Sequence, residues 1–324
     1  MLIQNAKAFI DGKFQEKTDL LIRDGRISAI GTGLAAEGEE LLDLGGDLLL
    51  PGFVDVHIHA FKGMDTMQGE EAVRHMSREL KKVGVAAFLP TTMSASPEDT
   101  VRALAGVKAV MERPEPDGAI VLGAHMEAPF LAEAKAGAQL KQYFVDPDEE
   151  NWQRYTGGLE SVVRLITMAP ERAGAMEFIS ALTKKGITVS IGHTTADAET
   201  THAAAEAGAT HVTHTFNAQT PLNHRAPGVP GAALVDDRLQ CEVISDGIHL
   251  HPDIVKLIIR TKGKEKLVAI TDAMEAAGMP DGQYQLGGQE VFVHEGAARL
   301  KDGTLAGSTL TMIRAFQNLI RFGA

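Results

Sequence analysis

The chain has 324 residues, 44% of them hydrophobic, enough for one large barrel or two to three smaller domains with a substantial core. Its formal net charge of −12 excludes an extended basic surface, so neither nucleic acid nor an anionic membrane is expected as a partner. The single cysteine, Cys241, excludes both an internal disulfide framework and a cysteine-held zinc; a cytoplasmic protein whose metal ligands are His, Asp and Glu is the expectation.

No basic segment followed by a long apolar one stands at the start, and no run approaches the length of a membrane span. Residues 1–50 alternate short apolar stretches with Asp11-Gly12 and Asp24-Gly25, two hairpin-turn signals, and read as a small antiparallel β domain. After Pro51 the pattern changes. Apolar runs at 53–58, 86–92, 120–126, 162–168, 187–192, 211–216, 241–245 and 267–271 are separated by helical patterns at 70–83, 97–112, 174–185, 197–207 and 252–262. Gly84, Gly186, Gly208 and Gly263 mark helix ends where a left-handed cap is expected. The sixth crossover, 221–237, is rich in Pro and Gly and reads as a functional loop rather than a helix. Eight strands with crossovers predict an α/β fold, a (β/α)8 barrel over 51–324, with a β insertion near 283–300 and a final helix at 309–321.

A barrel gathers its chemistry at the carboxyl ends of its strands, on one rim. The polar residues ending each run meet that demand. His57 and His59, two apart on the first strand, share a face, and two neutral imidazoles on one spot begin a transition-metal site. The third run ends in His125-Met126-Glu127, the fifth in His193, the sixth in His214, the seventh in Asp246 with His249 close behind, and the eighth in Asp272. Glu127 is a candidate anionic ligand, and Asp272 a candidate acid and base that moves a proton between water and a leaving group. His75, His202, His211, His251 and His294 read as structural or solvated. The loop 213–228 brings backbone amides near Asn217-Ala218 and a cation, Arg225, which suit an oxyanion or phosphate.

The segments PGFVDVHIHA, GAHMEAPF, KAGAQ, SIGHTTAD, THTFNAQTPLNHRAPG, ISDGIHLHPD, AITDAMEAAGMPDGQY and DGTLAGSTLTM, in that order, resemble the N-acetylglucosamine-6-phosphate deacetylase family of the amidohydrolase superfamily. The resemblance implies a divalent metal held by Glu127, His193 and His214, with His57 and His59 adding a second site: one or two ions per subunit, zinc or iron first, cobalt or manganese as alternatives. It implies Asp272 as general base and acid and His249 against the sugar or the reacting carbonyl. Asn217 and Ala218 would meet the phosphate, while His224 and Arg225 reach it across a homodimer interface. Leu305, Ala306, Gly307 and Ser308 would line the acetyl pocket. Gln139 stands where many members carry a carbonyl-polarising histidine, and Ala128 replaces a glycine beside the substrate. Gln219 and Asn223 replace a common Met and His.

The expected substrate is a phosphorylated amino sugar, hydrolysed at its acetamide. Two rivals remain at this point. A cyclic-amide hydrolase or D-aminoacylase would commonly use a bridging carboxylated lysine, which no predicted strand end supplies; an inactive metal-binding scaffold would not retain every ligand and Asp272. The family continues beyond the final helix with segments that complete its β domain, here expected as a sandwich, so the amino-terminal strands are expected to need further partners.

Overall fold

The computed structural model describes residues 1–35 and 37–324, which divide into two units, Met1–Gly52 and Phe53–Ala324. In the first, Leu2–Ile10 pairs antiparallel with Lys13–Arg23, which pairs in turn with Arg26–Gly31. Leu41–Asp43 and Leu48–Leu49 add parallel to the other edge of Leu2–Ile10. Both hairpins turn where the sequence predicts, with positive φ at Asp11 (51°), Gly12 (74°), Asp24 (51°) and Gly25 (69°), the signature of a type I′ turn. Ile3, Ala6, Ala8 and Leu20 form the small core of this unit, which holds one sheet among its described residues rather than two layers. Phe14, Ile27, Leu41 and Leu48 remain exposed.

The second unit is a parallel barrel. Its strands are β1 (Phe53–Ile58), β2 (Val85–Thr92), β3 (Ala124–Met126), β4 (Val163–Met168), β5 (Thr188–Ile191), β6 (His211–Val212), β7 (Gln240–Ile244) and β8 (Leu267–Ile270). Each pairs with the next from β1 to β8. The ring closes just past β8, where Asp272 N donates to His57 O at 2.8 Å and His59 N to Ala273 O at 3.0 Å. Around it lie α1 (Glu70–Lys81), α2 (Pro97–Glu112), α3 (Glu149–Thr156), α4 (Ala175–Lys184), α5 (Ala198–Ala207), α6 (Gly228–Val235), α7 (Pro252–Lys266) and α8 (Met312–Phe322). Strands β9 (Gly282–Leu286), β10 (Gln289–His294) and β11 (Ala297–Arg299) form a separate antiparallel sheet between β8 and α8. None of the described helices is long and apolar enough to cross a membrane.

Four elements depart from expectation. The sixth crossover contains a helix, α6: Pro230 falls in its first turn, where a missing N–H has no intrahelical acceptor to lose. β6 ends at Val212, because His214 (φ 27°), Phe216 (80°) and Ala218 (50°) leave extended geometry. The run 120–126 is broken by Gly123 (φ 151°) into Ile120–Val121 and β3. Helical geometry does break at Gly263 (φ 59°), the expected end, but a short second helical segment follows across the kink.

Between barrel and helices runs a continuous apolar core that includes Ile58, Phe88, Met126, Ile166, Val189 and Val243. A chain of hydroxyls lies among the strands: His125 Nε2 to Thr167 Oγ1 at 2.8 Å, Thr167 to Thr213 at 2.8 Å, and Thr213 to Ser190 at 2.6 Å. Such groups survive burial because each finds a partner.

Candidate metal and active site

Glu127, one residue past β3, is the centre of the site. Its Oε1 lies 3.4 Å from His57 Nε2, 3.2 Å from His193 Nε2 and 3.1 Å from His214 Nε2. Its Oε2 lies 3.1 Å from His59 Nε2 and accepts a hydrogen bond from Gln139 Nε2 at 2.6 Å. The ligand atoms therefore fall into two buried triads, His57/His59/Glu127 and Glu127/His193/His214, each within 4.8 Å, with the carboxylate shared between them. Asp272 stands over the first triad, its Oδ1 3.2 Å from His59 Nε2 and 3.5 Å from His57 Nε2.

The opposite ring nitrogens reveal what the Nε2 atoms are for. His57 Nδ1 faces Glu242 Oε2 at 3.1 Å, His59 Nδ1 faces Thr91 O at 3.3 Å, and His193 Nδ1 faces Lys135 O at 2.8 Å. Oxygens of these kinds accept, so each Nδ1 carries a proton and each Nε2 is turned inward toward the carboxylates. His193 Nε2 and His214 Nε2 approach to 3.1 Å, and His57 Nε2 has no hydrogen-bond partner among the described residues. Imidazole nitrogens converging on a shared carboxylate form a donor set that fits a divalent cation, which would take the place of protons on the rings.

Protonation states report the same concentration of charge. Burial disfavours charge on His57 and His59, but the carboxylates of Glu127 and Asp272 outweigh it, raising His57 well above the imidazole range and His59 to about 9. Burial likewise opposes ionisation of Glu127 and Asp272, yet the charge of His57 keeps both below the usual carboxylate range. Burial, and then the charge of His57, push His125 well below the imidazole range. Backbone strain collects at the same place: His193 (φ 46°), His214 (27°) and Asp272 (49°) are non-glycine residues in left-handed conformation.

A cavity of about 540 Å³ opens over the triads. Of the residues singled out from sequence, His59, Glu127, Gln139, His193, His214, Asn217, Ala218, His249, Asp272, Leu305 and Gly307 line it. His57 lies behind the wall, fully buried, as do Ala128, Ala306 and Ser308. Ser308 instead ties the end of β8, donating from Oγ to Thr271 O at 2.5 Å and from N to Asp272 O at 2.7 Å. His224 and Arg225 are exposed and do not line the cavity. His249 Nδ1 pairs with Asp246 Oδ2 at 2.6 Å, leaving Nε2 as its free nitrogen.

Sequence reasoning missed Glu242, buried on β7, although a carboxylate inside the apolar run Cys241-Glu242-Val243-Ile244 was a visible signal. It also missed Asp55, which accepts from Thr271 Oγ1 at 2.6 Å and is pushed up to about 6 by burial. Lys135 and Lys141, two cations in the cavity wall, carried no signal beyond their place beside Gln139.

Imidazoles and a shared carboxylate at the strand ends of a parallel barrel define a metal-dependent hydrolase, and the sequence pattern of the amidohydrolase family matches residues 48–314. The N-acetylglucosamine-6-phosphate deacetylase of Lysinibacillus sphaericus is 39% identical over 325 residues, 98% of this chain and 82% of the relative. The N-acetylgalactosamine-6-phosphate deacetylase of Escherichia coli O157:H7 is 37% identical, over 93% of this chain and 78% of the relative. Among solved structures, a mutant N-acetyl-D-glucosamine-6-phosphate deacetylase from Mycobacterium smegmatis in complex with N-acetyl-D-glucosamine-6-phosphate superposes with a TM-score of 0.87 at 34% identity, covering 98% of this chain and 82% of that one. The chain belongs to the amidohydrolase family and, within it, to the N-acetylglucosamine-6-phosphate deacetylases.

Proposed function

We propose that the chain hydrolyses the acetamide of N-acetylglucosamine 6-phosphate to glucosamine 6-phosphate and acetate. The observation that carries this reading is Asp272, a carboxylate in the wall of the cavity and beside both histidines of the first triad. Glu127, His193 and His214 would hold one divalent ion, and His57 and His59, with Glu127, a second. Zinc or iron suits these ligands best, with cobalt and manganese as alternatives. Such an ion, when bound, supplies Lewis acidity to the attacking water and to the acetamide carbonyl.

The protein's own groups do the rest. Asp272 takes the proton of the attacking water and returns it to the departing amine, so one carboxylate serves both halves of the reaction. Gln139 restrains the shared carboxylate through its 2.6 Å hydrogen bond, and its other N–H, now directed at Met93 Sδ at 3.5 Å, can turn to the substrate carbonyl. His249, oriented by Asp246, offers Nε2 to the sugar or the carbonyl. The backbone at Asn217-Ala218 meets the phosphate, and His224 and Arg225, exposed on their own chain, complete its site in a homodimer. Lys135 and Lys141 give an anionic substrate local positive charge on a chain of net charge −12. A cytoplasmic location belongs to the same proposal and rests on the single, buried cysteine.

The galactosamine-configured phosphate is the second reading, favoured by the E. coli relative. Acetate release from both sugar phosphates and from unphosphorylated N-acetylglucosamine, with metal analysis of the same preparation, tests the proposal. Asp272→Asn is expected to keep its metal and to lose roughly 10²–10⁴-fold in kcat. Near-normal turnover in that variant sinks the mechanism, and preference for the unphosphorylated sugar sinks the substrate assignment.

A further inference from the structure

Glu242 is a fully buried carboxylate in the middle of β7. Removing such a group from water is unfavourable unless it is paired. Among the described residues no Lys or Arg pairs with it; its one ion-pair contact is His57. Both hydrogen bonds to its carboxylate fall on a single oxygen: Oε2 accepts from His57 Nδ1 at 3.1 Å and from the backbone N–H of His214 at 3.2 Å, while Oε1 has no partner among the described residues. One oxygen thus joins the first ligand of one triad to the last ligand of the other.

The contrast with the neighbouring ligands is informative. His59 and His193 are each held from behind by a backbone carbonyl, Thr91 O and Lys135 O. Only His57 has a carboxylate in that place. A carboxylate behind a ligating imidazole fixes its tautomer and ring plane and raises its basicity. His57 depends on that restraint, since its Nε2 has no hydrogen bond among the described residues and its remaining contacts are with other rings, the nearest being His125, edge-on with centroids 4.5 Å apart. An apolar residue of similar size on β7 would fill the same space without an unpaired oxygen, so packing alone does not account for the carboxylate.

We infer that Glu242 is a positioning residue for the metal centre: it holds the ring of His57 but only the backbone of His214, so its loss falls on loading of the His57/His59 half far more than on the Glu127/His193/His214 half. The inference rests on reading the two triads as metal sites and is independent of the substrate.

The test compares wild type, Glu242→Gln and Glu242→Leu, stripped of metal and reloaded with zinc or cobalt. Metal per chain is read by elemental analysis, the affinity of each site by chelator competition, and the ligand field by the visible spectrum of the cobalt form. Wild type is expected to take up two equivalents. E242L is expected to keep one tight equivalent and to bind the second about 10–100-fold more weakly, with loss of one cobalt spectral component. E242Q keeps the accepting oxygen without the charge and is expected to weaken the second site about tenfold at an unchanged circular dichroism spectrum. Two equivalents at wild-type affinity in E242L, equal weakening of both sites, or a single equivalent in wild type overturns the inference. If E242L fails to fold, wild-type second-site affinity in E242Q overturns it. Acetate release is assayed separately, so an inactive chain showing this metal pattern refutes the proposed substrate and leaves the role of Glu242 standing.

Discussion

Gly192 sits between β5 and His193, and a side chain there has nowhere to go. A Cβ at this position would lie 2.6 Å from Thr213 Cβ, 2.7 Å from Thr167 Cγ2 and 2.9 Å from Thr213 Oγ1, where ordinary contact begins at 3.4 Å. Gly192→Ala therefore demands about 0.8 Å of movement, taken from two β-branched side chains with restricted χ1 and from a hydroxyl chain with 2.6–2.8 Å links. Overpacking of this kind costs about 1–3 kcal/mol. With an unfolding entropy of roughly 0.6 kcal/mol per degree for a unit the size of Phe53–Ala324, Tm should fall by ~2–5 °C. The displacement also reaches the chemistry, because Thr213 precedes His214 and Gly192 precedes His193. A misplacement approaching 1 Å in a catalytic constellation costs on the order of 10²-fold in rate. Scanning calorimetry and acetate release by the metal-loaded variant measure both effects. A Tm within about half a degree of wild type, with kcat within about twofold, would show that the barrel interior yields more freely than these contacts allow.

Arg225→Ala tests the shared phosphate site: loss of a charge-assisted contact of about 1.5–3 kcal/mol should raise KM for the phosphorylated sugar by ~10–100-fold and leave the unphosphorylated sugar unaffected. Equal effects on both sugars, or a monomer by sedimentation with normal KM, refute that placement. Lys262, 6% exposed, donates from Nζ to Ala233 O and Asp236 O, each at 2.8 Å, at the end of α6. Lys262→Met strips Ala233 O of its donor and leaves Asp236 O with the Leu239 N–H at 3.1 Å, and should lower Tm by a few degrees at unchanged metal content, given about 1–3 kcal/mol for an unsatisfied group. Hydrogen bonds from Arg238, assisted by His202, hold Asp236 well below the usual carboxylate range. A lowered folded pKa stabilises above the unfolded value of about 3.9 and is lost as pH falls through the folded value. The Tm gap between wild type and Asp236→Asn should accordingly be present at pH 7 and shrink steadily below about pH 4; a gap that widens on acidification contradicts the ion pair.

Much of the barrel was legible because its cues are local. Glycine-bounded apolar runs and helical periodicity located the strands to within a few residues except at β3 and β6, and the polar residues at the ends of several runs identified His57, His59, Glu127, His193, His214 and Asp272, which the barrel does bring together. The turns at Asp11-Gly12 and Asp24-Gly25 needed only the backbone freedom of the residues that make them. The misses have a common cause. α6 was hidden by Pro230 and two glycines, whose propensities argue against a helix that burial of Val229, Ala232 and Ala233 nevertheless stabilises. β6 was read as too long because the departure of His214 and Phe216 from extended backbone is imposed by the site they enter.

Composition and pattern alone thus determined the fold class, the rim on which chemistry would collect and most of the side chains on it. Only tertiary structure decided how those side chains are shared out. It placed Glu127 between two triads, turned Gln139 onto that carboxylate, left His224 and Arg225 outside their own chain's cavity, and set Glu242 behind His57 across a separation of 185 residues. The physical reason is one of range: propensity and periodicity act over a turn or a strand, whereas a hydrogen bond between β1 and β7 exists only once the register around the closed ring has been set.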